Sequence, residues 1–339
     1  MNTSRIAERP TPRLPTAADI DQAALRLAGQ AVLTPLLRFP ALDARAGGRI
    51  LVKPVIFQRN GSFKFRGAYN KVAGLAAAGA RAVVAYSSGN HAQGVADAAR
   101  LCGLAATIIM PSDAPAMKIA NTRALGAEVI TYDRRGEDRE AIAERLVSSN
   151  GAALVRPYDD PAVIAGQGTV GREIAAQSAA LGLAPELVLV PCGGGGLTSG
   201  CALALEAALP AARVHPVEPA GFDDTARSLA AGTRLGHDGT ARSFCDALLA
   251  AKPGELTFPI NARLVGPGLV VSDAEVAAAM EFGYRALKLV IEPGGAVALA
   301  AVLTGKIDCR DRAIAIVLSG GNVDPDIFCA ALAAGAAGS

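Results

Sequence analysis

Short apolar runs rich in Val, Ile and Leu alternate with alanine-rich stretches along almost the whole chain, and nothing else in the sequence restricts the fold as strongly. Runs such as Leu187–Pro191 and 313–319 show no polar alternation, which suits strands buried on both faces of a mostly parallel sheet. The same reading predicts strands at 50–57, 82–86, 105–110, 128–131 and 214–218. It predicts helices at 90–102, 116–125, 138–148, 161–180, 197–208, 273–288 and 295–303. Strands and helices in alternation define the α/β class. A chain of 339 residues has room for two domains, and the absence of a sharp linker favours one inserted within the other.

Composition removes several classes of function. Hydrophobic residues reach 51%, yet no uninterrupted apolar run approaches the ~20 residues of a membrane span. The net charge is only +2, and no basic cluster interleaves with aromatics, which argues against nucleic acid as the main partner. Cys102, Cys192, Cys201, Cys245, Cys309 and Cys329 form no CxxC pair, so free thiols in a reducing compartment are expected. Residues 1–16 carry Arg5, Arg9 and Arg13 among Pro10, Pro12 and Pro15, without the apolar core of a signal peptide. They read as a disordered lead-in to a cytoplasmic protein.

Three segments carry chemistry. Gly193, Gly194, Gly195 and Gly196 follow the run Leu187–Pro191 and precede a helix from Leu197. Without Cβ atoms their amides can turn inward on an anion, and the helix adds the positive end of its dipole. A flexible turn would explain two glycines better than four. The pattern is neither GxGxxG nor a P-loop, so dinucleotides and nucleoside triphosphates are disfavoured. Lys64, in Gly61-Ser62-Phe63-Lys64-Phe65-Arg66-Gly67, joins a strand to a helix. Most such lysines are solvated, but one beside a phosphate cradle can form a Schiff base if its pKa is depressed. Phe63 could pack on a cofactor ring or serve equally well as a core residue. Ser87, Ser88, Gly89, Asn90 and His91 open another helix, which makes them an N-cap, an anion site or both.

Together these segments resemble the fold-type II pyridoxal phosphate (PLP) enzymes, in the threonine dehydratase and serine racemase branch. The likeness runs from about Asp19 to Phe328. It implies two open, twisted, mostly parallel sheets with flanking helices. A small domain over 82–157 would sit inside a large one over 17–81 and 158–334. By resemblance Lys64 is the PLP lysine, and the glycine loop with Leu197 holds the phosphate. Asn90 meets the ring hydroxyl and Ser319 the pyridine nitrogen. Ser87, Ser88, Gly89, Asn90 and His91 hold the substrate, with Ser88 on the face away from Lys64. A hydroxyl at Ser319 stabilises a protonated ring less than a carboxylate does, which favours rapid elimination.

The implied activity is a homodimeric ammonia-lyase that converts a β-hydroxy amino acid, such as L-threonine or L-serine, to a 2-oxo acid and ammonia. Alternatives are a 3-hydroxyaspartate or phenylserine dehydratase, a serine racemase, or a silent PLP-binding protein. Asn60, Ala247 and the run Lys53-Pro54-Val55-Ile56 depart from the family pattern and bear on substrate choice. Glu218 and Asp224, six residues apart, suit Mg²⁺ or Ca²⁺, with the Phe222 carbonyl a third ligand by resemblance. A solvated acidic turn, with Asp223 capping a helix, is the competing account.

Overall fold

A computed structural model describes residues 13–87, 89–114, 116–133 and 135–337. Among the described residues ten strands form two sheets: β1 Leu37–Arg38, β2 Arg49–Pro54, β3 Ala82–Tyr86, β4 Ala105–Pro111, β5 Glu128–Tyr132, β6 Ala153–Leu154, β7 Leu187–Pro191, β8 Arg213–Pro219, β9 Leu269–Val271 and β10 Ala313–Leu318. The larger sheet has the order β1-β2-β10-β7-β8-β9, and the smaller β5-β4-β3-β6. All pairings are parallel except β1 with β2.

The non-alternating runs lie where both faces are covered. Every residue of β7 and β10 is buried, and the two pair at Ile314↔Leu187 through Ile316↔Leu189. Helix Pro293–Leu303 packs one face of this sheet through Val297, Leu299 and neighbouring alanines. Helices Pro161–Ala180 and Gly196–Ala208 cover the other through Val170, Ile174, Leu197 and Leu205. These two helices nearly touch, since a Cβ on Gly200 would lie 2.5 Å from the Gly168 nitrogen. Glycine at this crossing is therefore a packing requirement.

The smaller sheet carries helix Asn90–Cys102 on one face, through Ala92, Val95, Ala96 and Ala99. Ile142 and Ala143 of helix Arg139–Asn150 cover the other. Helix Lys64–Ala77 packs against both Asn90–Cys102 and Pro161–Ala180, and so lies between the two sheets.

Three expectations need correction. The strand predicted at 50–57 stops at Pro54, which offers no N–H, and continues as a 3₁₀ turn over Val55–Phe57. The helix predicted at 273–288 stops at Phe282, then runs as a π turn over Gly283–Leu287 to left-handed Lys288. The predicted tail is ordered over 13–16. Arg13 pairs with Asp19 at 2.8 Å, and the Thr16 amide and hydroxyl each donate to Asp19 at 2.8 Å. Residues 1–12 lie outside the described residues. Helices Ala17–Leu27, Pro40–Ala46, Thr257–Leu264 and Pro325–Ala337 carry no counterpart among the predicted elements.

Candidate active site

The C-terminal ends of β3, β7 and β10 converge on one cavity of about 230 Å³, as open α/β sheets favour. It gathers Phe63, Lys64, Ser87, Gly89, Asn90, His91, all four loop glycines, Leu197 and Ser319. Ser88 lies outside the described residues.

The lysine turn is stitched to the end of β10. Phe63 N donates to Ser319 O at 3.0 Å, Gly321 N donates to Gly61 O at 2.9 Å, and Ser62 bridges Gly320. The turn needs positive φ at Asn60 (59°) and Gly61 (68°), and asparagine tolerates that region better than threonine. Lys64 Nζ donates to Pro157 O at 2.9 Å and lies 5.0 Å from the Phe63 ring centre. Burial pulls its pKa down to about 8, with Glu292 partly opposing. An amine so placed is neutral in a useful fraction of molecules, as a nucleophile or base requires.

The glycine loop is shaped by what surrounds it. Gly195 takes φ 92° and Gly196 opens the helix Gly196–Ala208. A Cβ on Gly194 would lie 2.5 Å from Tyr158 Cγ, against the same ring's Cδ2 and Cε2. The Gly194 carbonyl is turned away, accepting from Thr257 Oγ1 at 2.7 Å.

Asn90 sits at the centre of a polar chain. Its Nδ2 donates to Glu292 Oε1 at 2.7 Å, and its Oδ1 accepts from Asn322 Nδ2 at 2.7 Å. Asn322 also donates to Asn60 O at 2.6 Å. Burial, with the Asp246 charge, raises Glu292 to about 8, so near neutrality this carboxyl keeps its proton. His91 is buried, bonds Val155 O through Nε2 at 2.9 Å, and leaves Nδ1 without a partner. Burial and the Lys64 charge push it down to about 3, which fixes it as a neutral imidazole. The cap of this helix is Gly89, whose amide donates to Ser87 Oγ at 3.2 Å, rather than a serine or asparagine side chain.

The acidic loop lies apart from this cavity and is not a solvated turn, because Glu218 and Asp224 are both buried. Asp223 makes no capping bond. Glu218 caps the helix Asp224–Ala231 instead, accepting from Thr225 N at 2.9 Å and Ala226 N at 2.8 Å. Both Asp224 carboxylate oxygens lack partners. Burial, with repulsion from Asp224, raises Glu218 to about 8, and burial raises Asp224 to about 7. Among the described residues no three His, Cys, Asp or Glu side chains cluster for a metal. A cation here would need backbone oxygens such as that of Phe222, and the orphaned Asp224 oxygens fit that role.

Pro157, Tyr158, Lys118, Arg139 and Asp246 also line the cavity, and no sequence motif pointed to them. Glu292 and Asn322 line it too, and the sequence alone attaches no chemistry to either residue. Each comes from a segment distant from Lys64 in the chain, so no local spacing marks it.

A lysine amine, a glycine cradle and a hydroxyl at the end of a buried strand define a cofactor enzyme. Residues 28–320 match the family "Pyridoxal-phosphate dependent enzyme", and the chain belongs to that family. It is 42% identical to an L-threo-3-hydroxyaspartate ammonia-lyase of a Pseudomonas species, covering 93% of this chain and 97% of that one. The crystal structure of a T.th. threonine deaminase matches with TM-score 0.87 and 43% identity, over 91% and 99% of the two chains. Maize serine racemase matches with TM-score 0.88 and 36% identity, over 95% and 98%. The fold is therefore fold-type II. The residues present fit PLP: four residues without Cβ atoms and the N-terminus of helix Gly196–Ala208 line the cavity together with a desolvated Lys64 amine.

Proposed function

We propose that this protein is a PLP-dependent ammonia-lyase that converts a β-hydroxy amino acid into a 2-oxo acid and ammonia. The observation that carries the reading is the desolvated Lys64 amine, lining one cavity with the glycine loop and the Asn90–Glu292 pair. Similarity to the Pseudomonas ammonia-lyase and to the threonine deaminase supports the lyase class. When bound, the cofactor withdraws electrons from the substrate Cα.

In this reading Gly193, Gly194, Gly195, Gly196 and Leu197 hold the phosphate, while Phe63 flanks the ring. Asn90, held by Glu292 and Asn322, sets the ring's orientation, and Ser319 meets its nitrogen. The loop Ser87, Ser88, Gly89, Asn90 and His91 binds the substrate carboxylate. Lys64, in its neutral form, takes the Cα proton. Racemisation is a side activity at most. Ser88 would have to move a proton on the other face, and His91, held down near 3, is too weak a base to activate it.

The same reading gives an inserted small domain over 82–157, a homodimer, a cytoplasmic location, and Mg²⁺ or Ca²⁺ at Glu218, Asp224 and the Phe222 carbonyl. The test is 2-oxo acid release from L-threonine, L-serine, 3-hydroxyaspartate and phenylserine, each as both enantiomers. Release from L-substrates is expected, and D-serine accumulating from L-serine faster than pyruvate would make the protein a racemase.

A further inference from the structure

The two largest side chains with under 2% exposure are both cations, Arg66 and Lys53, and neither lines the cavity. They converge on one carboxylate, Glu173 of helix Pro161–Ala180. Arg66 sets its fork on both Glu173 oxygens at 2.5 and 2.9 Å, and Lys53 Nζ lies 2.6 Å from Oε2. The same guanidinium donates to Thr169 Oγ1 at 3.0 Å and to Val32 O at 3.1 Å. Lys53 also donates to Thr34 O at 2.6 Å and to Gln177 Oε1 at 2.8 Å. Every ammonium proton and every terminal guanidinium proton thereby has an acceptor. Taking such charges out of water is costly, and apolar side chains of similar size would fill the space at least as stably. What the charges add is direction.

Arg66 stands in the first turn of helix Lys64–Ala77, two residues after the amine. That helix start has no local support. Its cap residue Phe63 makes no side-chain bond, its first turn carries no acid, and the Lys64 charge lies at the positive end of the dipole. Contacts from other helices replace the cap. A Cβ on Gly166 would lie 2.6 Å from Arg66 O, and one on Gly94 would lie 3.2 Å from the Lys64 carbonyl carbon. Gly67 N donates to Gln167 Oε1 at 3.2 Å. These contacts grip the turn from both sides, and the two-bonded Arg66–Glu173 pair fixes its rotation.

We propose that Glu173, acting through Arg66 and with Lys53 as its second partner, is a positioning residue for Lys64. It sets the first helical turn so that the amine stays inside the cavity, turned toward the reacting carbon. This rests on the reading of Lys64 as the reactive lysine. An apolar replacement would fill the same space without fixing a direction, and the amine would then reach water. Burial pulls Lys64 down to about 8, and Glu292 is the charge that opposes it. The other titratable groups lining its cavity are Tyr86, His91, Lys118, Arg139, Tyr158 and Asp246, and none of them stands on an element that carries the network. A network variant therefore acts on Lys64 through its exposure.

The test follows that amine directly. Competitive acetylation of the apoprotein with acetic anhydride, read across pH by mass spectrometry of the Lys64 peptide, needs neither cofactor nor turnover. The wild type should give a midpoint of about 8. Glu173→Gln should move it up toward the ordinary lysine value of 10.5. In the holoenzyme the same change should lower kcat about 10- to 100-fold with KM little altered, and Glu173→Asp should recover part of both effects. Because Glu173→Gln strands a buried guanidinium, a triple variant (Lys53→Met, Arg66→Met, Glu173→Met) is measured beside it. There the Val32 and Thr34 carbonyls keep Gln58 Nε2 and Gln177 Nε2 as donors, each at 2.9 Å. The triple variant should hold a wild-type Tm yet show the raised midpoint and the lowered kcat. Ile174→Ala, which removes core contacts from the same helix outside the network, should lower Tm and leave midpoint and kcat unchanged. A wild-type midpoint or kcat in the triple variant, or a midpoint raised equally by Ile174→Ala, overturns the assignment. If the wild type releases no 2-oxo acid, the lyase reading fails, and the acetylation midpoints still decide the role of Glu173.

Discussion

Adding a single methyl group at Gly194 should separate the cofactor from its seat. The new Cβ would stand 2.5 Å from Tyr158 Cγ, where carbon atoms normally keep ~3.5–4.0 Å, so loop or ring must retreat by about 1 Å. Tyr158 cannot retreat through its backbone. Asp159, the next residue, accepts from Glu255 N at 2.9 Å and Leu256 N at 2.8 Å and so pins the backbone beside the ring. The loop is held too, through the 2.7 Å bond from Thr257 to Gly194 O. Overpacking at such a site costs about 1–3 kcal/mol, a factor of roughly 5–150 in an equilibrium constant. Gly194→Ala should therefore weaken PLP by that factor in an absorbance titration of the apoprotein. Gly194→Ala combined with Tyr158→Ala should recover most of the loss, because the second change removes the atoms struck. Wild-type PLP affinity in Gly194→Ala, or strict additivity in the double variant, would refute the packing argument.

Further outcomes can be measured. Asp159→Ala removes the acceptor for the first amides of helix Thr257–Leu264, and should lower stability by about 1–2 kcal/mol in urea unfolding; no change in midpoint would count against this role. Glu218 and Asp224 bind protons more tightly folded than unfolded, so the cation-free protein should lose stability as pH rises from about 4 through 7 to 8. Mg²⁺ or Ca²⁺ should then raise Tm more at pH 8 than at pH 6, and equal Tm with chelator and with saturating ion at both values would reject the site. Ser88→Ala should abolish turnover of D-serine while pyruvate formation from L-serine persists, as chiral chromatography can establish.

The strands at the centre of each sheet were legible because burial on both faces removes polar alternation from the sequence itself. For β3 and β7 the predicted and observed limits coincide. Strands β1, β6 and β9 are two or three residues long and half-buried, which leaves no periodic signal to read. The Lys64 turn and the glycine loop were legible for another reason: each packs its chemistry into one contiguous stretch. Glu292 could not be read that way. It opens a helix as Glu-Pro-Gly-Gly, and only the folded chain sets it against Gly320, Asn90 and the Lys64 charge. Arg139 opens the helix Arg139–Asn150 with the sequence pattern of a solvated surface, and only the folded chain brings it to the cavity wall. The spacing of Glu218 suggests a ligand, but its helix-capping bonds to Thr225 and Ala226 depend on the turn that follows β8.

The catalytic role of the cavity stands or falls on Lys64. Borohydride reduction of the PLP-loaded protein, followed by protease digestion and mass spectrometry of the pyridoxyl label, tests it most directly. The label should be found on the peptide carrying Lys64 and should be absent in Lys64→Ala. A label on Lys118, Lys53 or any other lysine, or no fixed label at all, would contradict the assignment of this cavity as the catalytic centre.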